Sequence, residues 1–317
     1  MIADGVFINT TARKKYQYFT EKRNIWPFFC FSQDYVDVLK FGYGRSLNNK
    51  FEGSDGTTYI TSLEANLTMP IVLNQNNAII TGGIFSKNRL QLFPSVNGFK
   101  GPFTSLYSTT LKVGLSSVFS EKWGMTLVFL PKVASDYYQV SSNDVFFGGF
   151  GILKYQKCEN SIYRFGFYSS SEAFGFYTTP ILGWYSLSKD EKIEMDIFMP
   201  ISADINYTNG HFTYGFSYFG IGRSFNLEKN NLNQYVQLNS LEFAGYAQYN
   251  KLFKNIILRA KVGYASDDYE VYNYGDKIDF GFIAFNFGDD RQQLNPKIKG
   301  SLFFKLELLY RIKLDKK

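Results

Sequence analysis

The segment Leu302-Phe303-Phe304-Lys305-Leu306-Glu307-Leu308-Leu309-Tyr310-Arg311-Ile312 decides the fold class. Taken at every second position, it puts Leu302, Phe304, Leu306, Leu308, Tyr310 and Ile312 on one side. Phe303, Lys305, Glu307, Leu309 and Arg311 fall on the other. A β-strand sends successive side chains to opposite faces, whereas a helix would scatter these charges through its apolar surface. The segment is therefore predicted as a strand with one wholly apolar face and one charged face. That combination suits a wall with lipid outside and a wet lumen inside. A C-terminal amphipathic strand carrying an aromatic also suits an outer-membrane assembly signal, although a charged tail, Asp315, Lys316 and Lys317, follows it here.

The same period of two recurs from about residue 35 onward. Tyr59, Thr61, Leu63, Ala65, Leu67 and Met69 alternate with Ser62, Glu64, Asn66 and Thr68. Tyr107, Thr109, Leu111, Val113 and Leu115 alternate with Ser108, Thr110, Lys112, Gly114 and Ser116. Ile193, Met195, Ile197 and Met199 alternate with Glu194, Asp196 and Phe198, and Ile256 to Tyr264 alternates around Arg259, Lys261 and Gly263. A soluble β-sandwich also alternates, but its outer faces would be richer in Lys and Glu.

Composition agrees with a barrel. Aromatics are 19% of the 317 residues, with 33 Phe and 24 Tyr, yet mean hydropathy is −0.20. Alternation between a lipid face and a wet face averages hydrophobicity out in this way. No run approaches the ~18 apolar residues of a spanning helix, and the strongest, Met125 to Leu130, stops at Pro131. Trp123 and Trp184, with the many Tyr at strand ends, suit interfacial girdles. The net charge of +6 is modest and carries no basic cluster interleaved with stacking aromatics, so nucleic acid is not an expected partner. Cys30 and Cys158 permit one disulfide, and their number excludes a CxxC metal site.

Turns alternate in length. Short polar ones fall at Asn74–Asn77, Ser120–Lys122, Lys157–Asn160, Ser188–Glu191 and Asn250–Lys254, and longer links near 47–57, 88–104, 134–144, 223–234 and 266–300. Short periplasmic turns and long outer loops are the usual barrel asymmetry. Fifteen strands are counted if Pro200 divides Lys192–Tyr207, and a single-chain bacterial barrel wants an even number. Either Pro200 sits inside one long strand, or Ile278–Phe287 is an outer excursion that does not span. Proline lacks a ladder donor and prefers a strand end, which favours the second solution. The expectation is an all-β, closed up-and-down antiparallel transmembrane barrel of about 14 strands over residues 35–317, with 12 as the alternative. LVFLPKVASD (127–136) and DIFMPISADI (196–205) look alike and are taken to share a strand-ending proline.

Residues 1–34 do not alternate cleanly and are expected to form an N-terminal arm, a plug-like segment or an incomplete strand. The first residues lack a basic n-region and an apolar h-region. The expectation is that an export signal was removed or lies upstream, and that the chain resides in the bacterial outer membrane among outer-membrane lipid and lipopolysaccharide.

TTPILGWYSLSKDEKIEMDIFMPISADINY (178–207) resembles a Bacteroidota outer-membrane β-barrel family of unknown function. Pro180, Gly183, Tyr185, Pro200 and Tyr207 carry the likeness, GIGRSFNL from Gly220 resembles the next strand end, and RAKVGY (259–264) a later one. Met199 stands where Leu is commoner. The likeness covers about a third of the chain. It implies a barrel and a location, and supplies neither a catalytic residue nor a substrate.

Little catalytic chemistry is expected. The single histidine, His211, follows Asn209-Gly210, with Ser202 and Asp204 nearby in sequence and expected to flank a short rim turn. A solvated hairpin residue is the plainer reading of His211. Asp267-Asp268, Asp289-Asp290 and Ser54-Asp55 are expected on outer loops, but none matches a calcium-loop spacing. Gly82-Gly83 and Gly148-Gly149 sit within strands and are not phosphate loops. No catalytic residue, cofactor or metal is expected. With the lipid face assigned as above, Lys40, Lys112, Lys154, Arg164, Arg259, Lys261, Lys305 and Arg311 are expected in the lumen, with Glu64, Glu194, Asp196, Glu242 and Glu307. Two functions stay open: a non-enzymatic pore or transporter for small solutes, or a structural or assembly barrel that docks protein partners through outer loops or the N-terminal arm.

Overall fold

The computed structural model describes residues 35–95, 101–228, 233–283 and 285–313. The expected arm or plug, 1–34, lies outside the described residues, as do Cys30 and the charged tail.

Fourteen strands make the wall. They are β1 (Tyr35–Ser46), β2 (Thr61–Val72), β3 (Asn77–Gln91), β4 (Phe103–Val118), β5 (Trp123–Ser135), β6 (Val145–Cys158) and β7 (Ser161–Glu172). After them come β8 (Gly175–Leu187), β9 (Ile193–Met199), β10 (Ser202–Asn209), β11 (Phe212–Leu227), β12 (Gln234–Phe253), β13 (Ile256–Asn273) and β14 (Ser301–Lys313). Each pairs antiparallel with its neighbours in sequence, and β14 pairs with β1, Leu308 facing Phe41, which closes the barrel. Closure leaves no row of unpaired backbone groups facing lipid.

The strand count resolves at the two expected places. Pro200 ends β9, and Ile201 N–H donates to Phe198 C=O in a tight link to β10. Ile278–Phe287 does not span: Phe280–Phe282 and Phe285–Phe287 form a short hairpin whose first strand continues the sheet beside β8 at the barrel mouth. Pro131 behaves differently from expectation. It lies inside β5, opposite Phe147 of β6, while pairing to β4 lapses between Phe129 and Lys132. The missing donor therefore falls where no ladder bond is made, and the two proline segments do not share a strand-ending device.

Alternation on β14 is complete. Leu302, Phe304, Leu306, Leu308, Tyr310 and Ile312 are exposed, Leu302 at 58%, whereas Glu307 is 1% exposed. The apolar belt continues through Leu111, Val113 and Leu115 of β4 and Leu127 and Phe129 of β5. Rings rim this belt. Trp123 packs on Tyr155, centroids 4.8 Å apart, and Trp184 donates to Ser161 at the short-turn end. Tyr107 stacks on Tyr137 at the long-loop end. Gly210, at φ +60°, makes the tight β10–β11 turn without a Cβ penalty.

At the long-loop end, β11, β12 and β13 leave the wall. Tyr214 and Phe216 still alternate with inward residues, but Ser224, Phe225, Asn226 and Leu227 are all buried, as are Tyr235 to Leu238 of β12. A strand buried on both faces is no longer part of a one-sided wall. These strand tops form a roof over the lumen. Its apolar core includes Phe51, Leu92, Leu106, Phe146, Phe225 and Val236, drawn from strand ends and loops around the mouth. The late loop is clamped to this roof by Asn295, whose side chain bonds Val271 N–H, Tyr269 C=O and Leu92 C=O.

Candidate functional site: the barrel lumen

Charged side chains of inward parity meet in clusters. On the β14 side, Glu307 lies 3.4 Å from Lys40, 3.6 Å from Lys261 and 3.7 Å from Arg259. Beside it Lys305 contacts Glu64 at 3.0 Å and Glu242 at 3.7 Å. The register explains the grouping: Arg259 faces Glu307, Lys261 faces Lys305, and Gly42 and Gly44 of β1 face Glu307 and Lys305. Gly44 matters sterically, because a Cβ there would sit 2.8 Å from Ser62 Oγ and 3.3 Å from Lys305 Cγ. Its absence makes room for the lysine chain to reach Glu64.

Three further groups line the interior. Lys112 Nζ bonds Asn66 and, at 2.6 Å, Thr68. Arg164 pairs with Asp196 at 2.6 Å and lies over the Phe198 ring, and Lys154 shares the inward parity of Phe150 and Ile152 on β6. Near the short turns, Arg311 makes a two-pronged bond to Asp37 and stacks on Tyr35. Glu194 accepts from Tyr35 at 3.0 Å and from Tyr185 at 2.9 Å.

Several of these contacts join opposite walls. Tyr35 belongs to β1 and Glu194 to β9, half-way round the sheet. Arg223, on the β11 segment that leaves the wall, donates to Ser86 of β3. Glu172, at the end of β7, accepts from both the N–H and the hydroxyl of Ser224, and takes Lys132 at 2.6 Å. Ala173 N–H donates to Ser224 Oγ, and Asp136 N–H to Asn226 C=O. The tip of β11 thus crosses the lumen. It separates two cavities of about 40 Å³ each, both lined by Ile221 and Arg223. One lies among the charges of β1, β2 and β12–β14; the other lies toward β3–β7.

The interior is also uneven in polarity. Opposite the charged side, Ile80, Val128, Leu130, Phe150, Ile152 and Ile181 form one apolar cluster with Phe198 and Ile201. The Arg164–Asp196 pair sits against this cluster, Arg164 lying over the Phe198 ring, so this side of the interior is mixed in polarity.

No protein-family model matches this sequence, and no curated protein matches it. Among solved structures, an outer-membrane channel from Pseudomonas putida F1 superposes with a TM-score of 0.42 at 8% identity, over 91% of this chain and 100% of the other. The toluene transporter TodX of Pseudomonas putida gives 0.36 at 11% identity, over 87% and 89%. The NanC porin gives 0.33 at 11%, over 86% and 100%. Likenesses this loose do not bear on what this barrel carries.

The suspected chemistry does not assemble. Ser202 begins β10 and His211 follows its far end, so the strand, ~25 Å long at 3.3 Å per residue, lies between them. The expectation that they flank one turn fails because there are two, at Pro200–Ile201 before Ser202 and at Gly210 before His211. Asp204 is engaged by Tyr246 at 2.7 Å. Asp267 and Asp268 are not on a loop: they lie in β13, bonded to Ser240 and Lys297. Among the described residues no group of three His, Cys, Asp or Glu side chains is placed to hold a metal.

Glu172, Lys132, Arg223, Asp204 and Asp37 were absent from the expected lumen set. Parity alone reaches the first: on β7 the buried positions run Ile162, Arg164, Tyr168, Ser170 and Glu172. Extending that run eight residues from Arg164 finds the carboxylate. Lys132 is hidden by Pro131, which breaks the sequence pattern but not the strand.

Proposed function

We propose that the protein is an outer-membrane transporter for small solutes that opens by moving its roof, rather than a permanently open pore. One observation supports this most directly. The two cavities are divided by a strand tip held by Glu172 to Ser224 and Arg223 to Ser86 as well as by the packing of Phe225 and Leu227 in the apolar core of the roof. A barrel built only as a rigid post would gain more from an apolar filling than from buried charges, whose desolvation offsets much of their attraction. The lipid belt and girdles fit the outer membrane, where lipopolysaccharide would surround the long-loop end. The motif from Pro180 to Tyr207 supports a Bacteroidota source.

The second reading, a structural or assembly barrel, draws on the same roof, since sealed ends and paired interior charges serve a scaffold equally well. Planar-bilayer recording and solute-flux assays on purified protein separate the two. A transporter gives low resting conductance that rises when the β11 tip is freed. Silence and absent flux in both the natural protein and the freed variant would leave the scaffold.

A further inference from the structure

Three cations of the wall strands do not face the lumen. Arg45 of β1 and Lys87 and Arg89 of β3 have outward parity, alternating with buried Ser46, Ser86, Asn88 and Leu90. Arg45 and Arg89 are exposed and Lys87 is half-buried. All three stand at the long-loop end. Lys157 and Lys251 of the wall strands are exposed as well, but they lie beside short turns.

Register brings the three together. Arg45 faces Thr61 of β2, Thr61 faces Arg89, and Leu63, the next outward residue of β2, faces Lys87. Arg45 and Arg89 are therefore two strand spacings apart, ~10 Å, and Lys87 stands ~7 Å below Arg89 on the same strand. Rings hold them there. The Arg45 guanidinium lies 4.1 Å over Tyr59, Tyr59 packs on Phe103 with centroids 5.0 Å apart, and Phe103 carries Arg89 at 4.3 Å. Lys87 Nζ sits 5.2 Å over Tyr107, which stacks on Tyr137.

The rings fix these cations without neutralising them. A guanidinium laid flat on a ring keeps its in-plane N–H donors directed outward. Among the described residues no carboxylate lies within 4.0 Å of Arg45, Lys87 or Arg89, and none of their side chains makes a hydrogen bond. Like charges this close repel one another, and an anion placed among them offsets that repulsion.

Their height says which anion. From Asn77 at the short turn, β3 climbs ~33 Å to Lys87 at 3.3 Å per residue. At a tilt of ~40° that is ~25 Å along the membrane normal, the height of the apolar band of such barrels. The cations thus stand where hydrocarbon ends and head groups begin. Directly below them the outward face is apolar, with Tyr43, Phe41 and Leu67 exposed. In the row beneath Lys87, Ala65 lies between Phe41 and Phe85, a dip between two rings. A free anion would use the cations alone, whereas an anion bearing alkyl chains also covers the face below.

We propose that Arg45, Lys87 and Arg89 bind the phosphate of one outer-leaflet glycolipid, a lipopolysaccharide whose acyl chains lie on β1–β3 beneath them. Two guanidinium forks and an ammonium match a phosphate's oxygens. The site is on the outside of the wall, so it rests on the outer-membrane placement of the barrel and is independent of what the lumen carries.

The test is native mass spectrometry of the folded protein in detergent, titrated separately with lipid A, dephosphorylated lipid A and inorganic phosphate. The natural protein is expected to hold one lipid A at least ten-fold more tightly than the dephosphorylated form. The triple variant Arg45→Gln, Lys87→Gln, Arg89→Gln is expected to lose at least ten-fold in lipid A affinity. Lys122→Gln, Lys157→Gln, Lys251→Gln removes the same charge at the short-turn end and is expected to stay within two-fold of the natural protein. Equal binding of the two lipids, or equal losses in the two triple variants, would overturn the site. Inorganic phosphate held as tightly as lipid A would overturn it too, since the apolar face would then contribute nothing. Should the first triple variant not fold, the comparison of the two lipids on the natural protein still decides.

Discussion

Glu172 and Ser224 are joined twice: one carboxylate oxygen accepts the Ser224 N–H and the Ser224 hydroxyl, both at 2.8 Å. The residues lie 52 apart in sequence and on strands four apart round the wall. With Lys132 and Ser170 on the other oxygen, the carboxylate is fully engaged at 5% exposure. Glu172→Ala removes every one of these contacts and strands the Lys132 ammonium. The β11 tip, still held by Ala173 N–H to Ser224, Asp136 N–H to Asn226 and the packing of Phe225, is expected to loosen, raising single-channel conductance over the natural protein, with wall strands intact by circular dichroism. An unchanged conductance would show that this bond does not hold the roof.

The lipid face gives a second prediction. Leu306 is outward and central on β14. Leu306→Arg places a charge near the bilayer midplane and is expected to destabilise the barrel by ~2–4 kcal/mol. Lys305→Leu, one position on, acts on the interior instead and leaves Glu64 without its closest cation. Urea-driven unfolding in liposomes, followed by tryptophan fluorescence, measures both changes.

Glu307 is a third target. It is the carboxylate common to Lys40, Arg259 and Lys261. Glu307→Gln keeps the shape but leaves three cations facing one another, at an expected cost of about 3 kcal/mol. Any current through the freed lumen shifts toward anions, which a reversal potential in a salt gradient reads directly. A shift toward cations would contradict this placement.

The late outer loop supplies a dependence on pH. Arg291 grips Asp289 through two nitrogens at 2.8 Å, donates to Tyr235 and Gln237 of the roof, and stacks on Tyr272. Hydrogen bonds from Arg291 hold the Asp289 carboxyl below the usual carboxylate range. A depressed value in the folded state means the contribution is complete above the unfolded pKa, ~3.9, and is lost as pH falls through the lower folded value. Loop protection against protease is therefore expected to hold at neutral pH and weaken below about pH 4. Asp289→Asn is expected to show the weakened protection at neutral pH already.

Much of the wall is legible in the sequence because a strand in a two-solvent wall writes its orientation at every second residue. Leu302 to Ile312 and Ile193 to Met199 carry that signal directly, and the even strand number follows from Pro200 and the short Ile278–Phe287 hairpin. The roof is not legible. Phe225 to Leu227 and Tyr235 to Leu238 are buried on both faces, so alternation stops where the strands leave the membrane but do not end. Asp267 and Asp268 read as loop residues in the sequence for that reason, although they lie in β13. Nor does alternation say which wall an inward side chain faces. Lys40 and Glu307 are neighbours through register, yet Tyr35 and Glu194 meet only because the two walls approach each other. Gly44 has no periodic signature, although the Lys305 chain lies where its side chain would be.

The pairing of β1 with β14 also constrains how the barrel is made. Arg311 and Asp37 bond across 274 residues of chain, and Phe41 finds Leu308 only when the last strand arrives. Until then both flanking strands are open edges, each able to pair with another chain. Closing so distant a contact is slow, because most loop entropy is lost before the ladder forms. The seam therefore forms only once β14 is in place, and a chain shortened by β14 would lack the strand that completes the ring.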